Sequence, residues 1–139
     1  MTRISITRKF DFCAGHRVWQ HESKCQHMHG HNYTALITCS APQLDNLGRV
    51  LDFSEIKTLI GRWIDDNWDH SFLVYYRDEA VIRALLEAQS KRFLMPDNPT
   101  AENMAFFLMT AAQEQLPSHI TVDKVQLWET PNCFAEVLA

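Results

Sequence analysis

Three histidines near the start of the chain have the residue type and spacing of metal ligands. His29 and His31 are separated by one residue, so on a β-strand both imidazoles project from the same face. His16 has the parity of the apolar residues of a preceding strand, and antiparallel pairing would bring it beside the other two. Three neutral imidazoles at about 2.0–2.1 Å form a catalytic zinc set that leaves a fourth position for water or substrate. The pattern predicts a zinc site with an open coordination position.

Cys25 lies four residues before His29 and has two possible roles. A thiol close to a divalent cation and histidines is held as a thiolate, which suits the abstraction of a proton from carbon. The alternative is a fourth zinc ligand, which would make the site closed and structural. His27 competes as a ligand only if the second strand already begins there, and we place it in the preceding loop.

Further candidates for chemistry are a carboxylate–imidazole pair and a single carboxylate. Asp69 and His70 are adjacent, and a histidine oriented by an aspartate is a common proton shuttle, with a capped helix end as the alternative. Glu129 shares the parity of Val125 and Leu127, where a carboxylate is costly unless it is paired. Two adjacent N–H donors of a flat heterocycle such as a pterin would satisfy it, as would a buried arginine.

Hydrophobic periodicity predicts the elements that hold these residues. Alternation of apolar and polar residues is typical of half-buried strands, helical spacing of amphipathic helices, and Pro, Gly and Asn of the turns between them. The predicted strands are 3–12, 29–40, 120–129 and 134–138, with a loop over 13–28 and a turn at 45–48. The predicted helices run from an N-cap at Ser54 to a stop before Asp69, over 78–90 with Asp78 as cap, and from Pro99-Thr100 to Leu116-Pro117. The order β-β-α-α-α-β-β indicates an α+β fold with an antiparallel sheet.

The composition sets limits on the class of protein. The chain has 139 residues, enough for one domain over 1–139, with 46% apolar and 22% charged residues. A formal net charge of −4 disfavours nucleic acid as the main partner, and no apolar run approaches the roughly 20 residues of a membrane span. The first residues lack the pattern of a signal peptide, so we expect a cytoplasmic protein. Of the four cysteines, we expect Cys13, Cys39 and Cys133 to be free thiols that are mostly buried.

Six short motifs, in order, resemble those of the 6-pyruvoyl-tetrahydropterin synthase / 6-carboxy-tetrahydropterin synthase family over essentially the whole chain. No single motif is decisive, but their order and spacing are very specific. They are Phe12-Cys13-Ala14-Gly15-His16-Arg17, Cys25-x-x-x-His29-Gly30-His31-Asn32-Tyr33, Leu51-Asp52-Phe53, Asp69-His70, Pro99-Thr100-Ala101-Glu102-Asn103 and Glu129-Thr130.

The resemblance implies a T-fold (tunnelling fold): a four-stranded antiparallel sheet with helices on one face, assembled as a hexamer of two trimers with active sites at subunit interfaces. It implies the role of each candidate residue as well. Zinc would be bound by His16, His29 and His31, the catalytic thiol would be Cys25 with Asp69 and His70 as proton relay, and Glu129 would anchor the pterin ring near Thr100 and Glu102.

The four-residue step from Cys25 to His29 resembles the bacterial 6-carboxy branch of the family. That branch converts 7,8-dihydroneopterin triphosphate to 6-carboxy-5,6,7,8-tetrahydropterin, with release of acetaldehyde and triphosphate, on the way to queuosine and other 7-deazaguanines. Alternatives are 6-pyruvoyl-tetrahydropterin formation, a dihydroneopterin aldolase activity, and a non-catalytic zinc-stabilised pterin-binding module. Glu22 leaves open a branch in which a glutamate shares or replaces the role of the thiol. Arg17, Lys24 and Arg92 are candidate phosphate contacts on charge alone.

Overall fold

Six strands form one mixed sheet in the part of the chain that the computed structural model describes, residues 2–139. The strands are β1 (Ser5–His16), β2 (His29–Ser40), β3 (Ser71–Tyr75), β4 (Arg92–Met95), β5 (Thr121–Thr130) and β6 (Cys133–Leu138). The helices are α1 (Phe53–Asn67), α2 (Glu79–Glu87) and α3 (Ala101–Gln115), and a short 3-10 turn covers Lys24–Gln26. Across the sheet the strands are ordered β4-β3-β1-β2-β5-β6.

The predicted antiparallel pairing of the first two strands is confirmed. Its register places His16 opposite His29 and Ala14 opposite His31. Strand β1 continues to His16 instead of ending at residue 12, because Ala14 and His16 extend its buried face while Cys13 and Gly15 remain partly exposed. The predicted loop over 13–28 therefore begins only after His16.

Strands β3 and β4 are the elements that sequence analysis missed. Strand β3 pairs parallel to β1 and β4 pairs parallel to β3, so the prediction of four antiparallel strands is wrong: the sheet has six strands and is mixed. Both lie largely inside residues 73–98. Strands of only four or five residues carry too little periodicity to be assigned, and their partners are distant in sequence.

The helices lie on both faces of the sheet, which corrects the prediction that they share one. Leu73 packs into the main core, to which α1 and α3 contribute, whereas Val74 packs against Val81 and Leu85 of α2. Since successive strand residues point to opposite faces, α2 covers the face opposite to α1 and α3. Trp68, at the end of α1, is fully buried and fills the main core.

Side-chain caps begin the three helices. Asp78 caps α2 as predicted, and Thr100 caps α3 at the predicted start of that helix. The predicted cap of α1, Ser54, is wrong by two residues, because the Asp52 carboxylate accepts the Ser54 backbone N–H at 2.8 Å and the helix begins at Phe53.

The cysteines are less buried than expected. All four are free, but only Cys39 is buried, Cys13 and Cys25 are half-buried and Cys133 is exposed. Among residues 2–139, the helices are all too short or too polar to cross a bilayer.

Gly15 and Gly30 lie opposite each other in the β1–β2 pair, and the first has no room for a side chain. A Cβ at Gly15 would lie 2.7 Å from Cδ2 of Phe72. We therefore expect Gly15→Ala to lower the free energy of unfolding by about 1–3 kcal/mol, measured by denaturant unfolding. The control is Gly61→Ala in α1, where an added Cβ would lie 3.6 Å from Cε1 of Phe10. Helix propensity should stabilise that variant by up to about 1 kcal/mol, so equal losses in the two variants would contradict the steric argument.

Candidate metal centre and active site

The β1–β2 register brings the three predicted metal ligands together. One ring nitrogen from each of His16, His29 and His31 lies within 4.8 Å of the other two. His16 is 1% exposed, and the other two imidazoles are half-buried at the edge of the main core. We call these three residues the histidine trio.

Two backbone carbonyls fix the tautomers of two members of the histidine trio. Nδ1 of His16 lies 2.7 Å from the Pro99 carbonyl, and Nδ1 of His29 lies 2.7 Å from the His27 carbonyl. A carbonyl oxygen only accepts, so each Nδ1 carries the proton and each Nε2 presents its lone pair. Oriented imidazoles of this kind are typical of metal ligands.

Within residues 2–139, the Nε2 lone pairs of the trio have no hydrogen-bond donor. Nε2 of His16 and Nε2 of His29 are 3.1 Å apart, and Nε2 of His31 is buried without a hydrogen bond. Burial lowers the pKa of His31, which keeps its imidazole in the neutral form that a metal requires. The donor set and these orphaned nitrogens fit a divalent cation such as zinc.

Glu129 lies against the trio on the buried face that its strand parity predicted. Its Oε1 is 3.2 Å from Nε2 of His16 and 3.3 Å from Nε2 of His31. The contact with His16 lowers the pKa of Glu129 in spite of partial burial, so the carboxylate is ionised. A hydrogen-bond acceptor therefore lies beside the trio, available to N–H donors of a ligand.

Tyr33 is a buried neighbour of the trio. The sequence analysis named it only as part of a motif and assigned it no role. Its ring centroid is 5.4 Å from that of His31, and its hydroxyl is buried without a partner. Burial strongly raises the pKa of Tyr33, so the phenol stays neutral. Its place two residues after His31 on the same strand face was the available signal.

The segment around Pro99 has a structural role that explains part of its motif. Thr100 Oγ1 accepts the Asn103 backbone N–H, and the Asn103 side chain donates to the Asn98 carbonyl at 2.9 Å. These bonds fix the turn that presents the Pro99 carbonyl to His16. Glu102 borders a cavity of about 360 Å³ that Glu129 also lines. The predicted roles of Thr100 and Glu102 toward substrate remain predictions.

Cys25 lies on the 3-10 turn within the loop that joins β1 to β2. The loop is tied down by a hydrogen bond from the Val18 backbone N–H to the Cys25 carbonyl and by two bonds between the Trp19 backbone and the Asn98 side chain. Among the described residues, Cys25 does not join the trio as a donor within 4.8 Å of all three nitrogens. The geometry of one chain thus gives no support to Cys25 as fourth ligand.

Asp69 and His70 lie together, but one chain does not bring them to the trio. Oδ2 of Asp69 is 3.0 Å from Nδ1 of His70, and Oδ1 accepts the Cys13 backbone N–H at 3.0 Å. Their donors group with the thiol of Cys13, whose side chain is on the face of β1 opposite to His16. His70 has a positive φ of 57°, an uncommon conformation for a non-glycine residue.

Arg17 is already engaged within the chain. Its guanidinium forms two hydrogen bonds, at 2.6 and 2.7 Å, to the carboxylate of Asp78, which is 2% exposed. The hydrogen bond to Asp78 raises the pKa of Arg17 further. A bidentate pair of this kind leaves the guanidinium less available to a phosphate than charge alone suggested.

Known proteins share both this sequence and this fold. The family model described as 6-pyruvoyl tetrahydropterin synthase matches residues 5–139. A 6-carboxy-5,6,7,8-tetrahydropterin synthase of Rickettsia conorii is 40% identical over 137 residues, covering 96% of this chain and 99% of that protein. The protein of the same name from Haemophilus influenzae is 30% identical over 139 residues, covering 96% and 97%.

Two solved structures agree with the fold. An uncharacterized protein of Wolinella succinogenes superposes with a TM-score of 0.86 at 24% identity, covering 99% of each chain. The 6-pyruvoyl tetrahydropterin synthase of Caenorhabditis elegans superposes with a TM-score of 0.70 at 21% identity, covering 100% of this chain and 99% of the other. The chain belongs to the 6-pyruvoyl tetrahydropterin synthase family.

Asn103→Ala tests the support of His16 by the turn before α3. Loss of the Asn103–Asn98 hydrogen bond should free the Pro99 carbonyl and weaken zinc binding by about tenfold or more, measured by competition with a chromophoric chelator. The matched control is Asn67→Ala, whose amide also donates to a backbone carbonyl at 2.9 Å but lies at the end of α1. Equal zinc affinity in the two variants would rule out this supporting role.

Proposed function

We propose that the protein is a zinc-dependent lyase that converts 7,8-dihydroneopterin triphosphate to 6-carboxy-5,6,7,8-tetrahydropterin, releasing acetaldehyde and triphosphate. The observation that carries the proposal is the histidine trio, in which carbonyls fix two tautomers and the Nε2 atoms converge. The relatives named 6-carboxy-5,6,7,8-tetrahydropterin synthase support the choice of product. The product would enter the synthesis of queuosine and other 7-deazaguanines in the cytoplasm.

The histidine trio would hold zinc, and Glu129 would hold the pterin. When bound, zinc would polarise the hydroxyls of the substrate side chain and stabilise negative charge on oxygen. The ionised carboxylate of Glu129 would accept two N–H donors of the pterin ring and set its orientation. Thr100 and Glu102 would border the same substrate, since Glu102 and Glu129 line one cavity.

Proton transfer would be divided between two chains. Cys25 would move protons at the substrate side chain as the catalytic thiol, with Asp69 orienting His70 as its relay. Because Asp69 and His70 lie on the opposite face of β1 from the trio, the relay would come from a neighbouring subunit. This arrangement favours a symmetric oligomer, which we propose to be a hexamer of two trimers.

Two other activities compete on the same scaffold, and a third role is non-catalytic. The first two are formation of 6-pyruvoyl-tetrahydropterin, the activity named for the Caenorhabditis elegans relative, and aldolase cleavage of dihydroneopterin. The third is a zinc-stabilised pterin-binding module. The position of Cys25 outside the histidine trio disfavours a closed structural zinc site in the single chain.

Product analysis distinguishes these functions. Zinc-loaded protein is incubated with 7,8-dihydroneopterin triphosphate, and the products are identified by mass spectrometry. We expect 6-carboxy-5,6,7,8-tetrahydropterin and acetaldehyde in equal amounts. A 6-pyruvoyl product would move the assignment to the sister activity, and no turnover with one zinc per chain would contradict the proposed enzyme.

Cys25→Ala separates catalysis from metal binding. We expect the variant to keep one zinc per chain and to lose about 10²–10⁴-fold in kcat, the usual contribution of a general acid–base group. The control is Cys39→Ala, since Cys39 lies opposite Ile6 at the far end of the β1–β2 pair. Loss of zinc from the Cys25 variant would instead identify that thiol as a ligand.

Mixing two inactive variants tests the division of the site between chains. Cys25→Ala and His70→Ala are each purified, unfolded together in equal amounts and refolded. If each site takes Cys25 from one chain and His70 from another, random assembly should restore about a quarter of the sites. Mixtures no more active than the separate variants, at the same oligomer size, would contradict a shared site.

A further inference from the structure

A second group of metal-ligating side chains lies apart from the histidine trio. The thiol of Cys13, a carboxylate oxygen of Asp69 and a ring nitrogen of His70 all lie within 4.8 Å of one another. Cys13 and His70 line a cavity of about 590 Å³, to which His29 and His31 of the trio also contribute. The side chain of Cys13 points to the opposite face of β1 from His16, so the two groups are separated by the sheet.

Backbone hydrogen bonds hold this second group together. The Cys13 backbone N–H donates to Asp69 Oδ1 at 3.0 Å, and the His70 backbone N–H donates to the Cys13 carbonyl at 2.7 Å. The positive φ of His70 turns the chain back toward β1 at this point. The three donors are therefore placed by the fold, although the His70 side chain itself is 76% exposed and able to rotate.

The donor types suit a borderline or soft divalent cation. Thiolate, imidazole and carboxylate are the three ligand types that zinc takes in proteins, at about 2.0–2.3 Å. Tetrahedral bonds of that length place donors about 3.3–3.8 Å apart, and the exposed His70 side chain is able to rotate toward that spacing. Asp69 Oδ2 and the ring of His70 already lie 3.0 Å apart.

We propose that Cys13, Asp69 and His70 form a second metal site, which takes a thiolate-binding divalent cation such as zinc or cobalt and leaves a fourth position to water. Binding converts the Cys13 thiol to a metal-bound thiolate and releases one proton. The Lys91 ammonium, which donates to the Asp69 backbone carbonyl at 2.7 Å, opposes a dication nearby. The second site is therefore weaker than the histidine trio and fills when the metal is in excess.

The second site has a regulatory consequence that rests on the proposed function. A cation on Asp69 and His70 occupies the pair that serves as proton relay in that proposal. Excess metal therefore inhibits turnover, and Cys13→Ser, which removes the thiolate, relieves the inhibition. Metal binding to the second site can be measured directly, without an activity assay.

Cobalt titration of the zinc-loaded protein tests the site. Zinc stays on the histidine trio because cobalt(II) binds such sites less tightly. The trio supplies no sulfur, so a sulfur-to-cobalt charge-transfer absorption reports a cysteine ligand. We expect the absorption to saturate at one added cobalt per chain in the wild-type protein.

Two serine variants identify the sulfur. Cys13→Ser should abolish the absorption and weaken the binding of added cobalt at least about tenfold, while Cys25→Ser should leave both unchanged. Retained zinc and an unchanged far-UV circular dichroism spectrum show that each variant is folded. An absorption that is absent from the wild-type protein, persists in Cys13→Ser or is lost in Cys25→Ser would overturn the second site. A different result would contradict the proposed function, namely no turnover of 7,8-dihydroneopterin triphosphate by protein with one zinc per chain.

Discussion

The register of the β1–β2 pair is the constraint on which the rest of the site depends. Residues opposite each other in an antiparallel pair point to the same face, so placing His16 opposite His29 and Ala14 opposite His31 puts all three imidazoles on one side. A slip of one residue would send His16 to the other face of the sheet. The buried aromatic residues of the same pair, Phe12 opposite Tyr33, hold the register because each must stay in the core.

That register also explains why the histidine trio and the group around Cys13 include residues close in sequence but remain apart in the structure. Cys13 and His16 are three residues apart on one strand, and odd spacing places them on opposite faces. One face carries the histidine trio against the core, where burial lowers the pKa of His31 and keeps that imidazole neutral. The other face opens on the cavity beside His70, and there the Lys91 ammonium lies close to Asp69.

Much of the structure around the trio serves to orient it. The Pro99 carbonyl reaches His16 from the turn before α3, and that turn is held by Asn98, Thr100 and Asn103. The same Asn98 side chain binds the Trp19 backbone, which ties the Cys25 loop to the turn. Metal ligands, helix cap and thiol loop thus share one hydrogen-bond network, so a change at one point is expected to be felt at the others.

The sequence by itself determined the strands β1 and β2, the three helices, the histidine trio and the buried parity of Glu129, because each rests on a local period or spacing. Only the tertiary structure decided the parallel strands β3 and β4, which are too short to show a period and pair with residues distant in sequence. It alone placed α2 on the opposite face from α1 and α3, and grouped Asp69 and His70 with Cys13. Those outcomes depend on which strand becomes the neighbour of β1 in the sheet, and no local pattern records that choice.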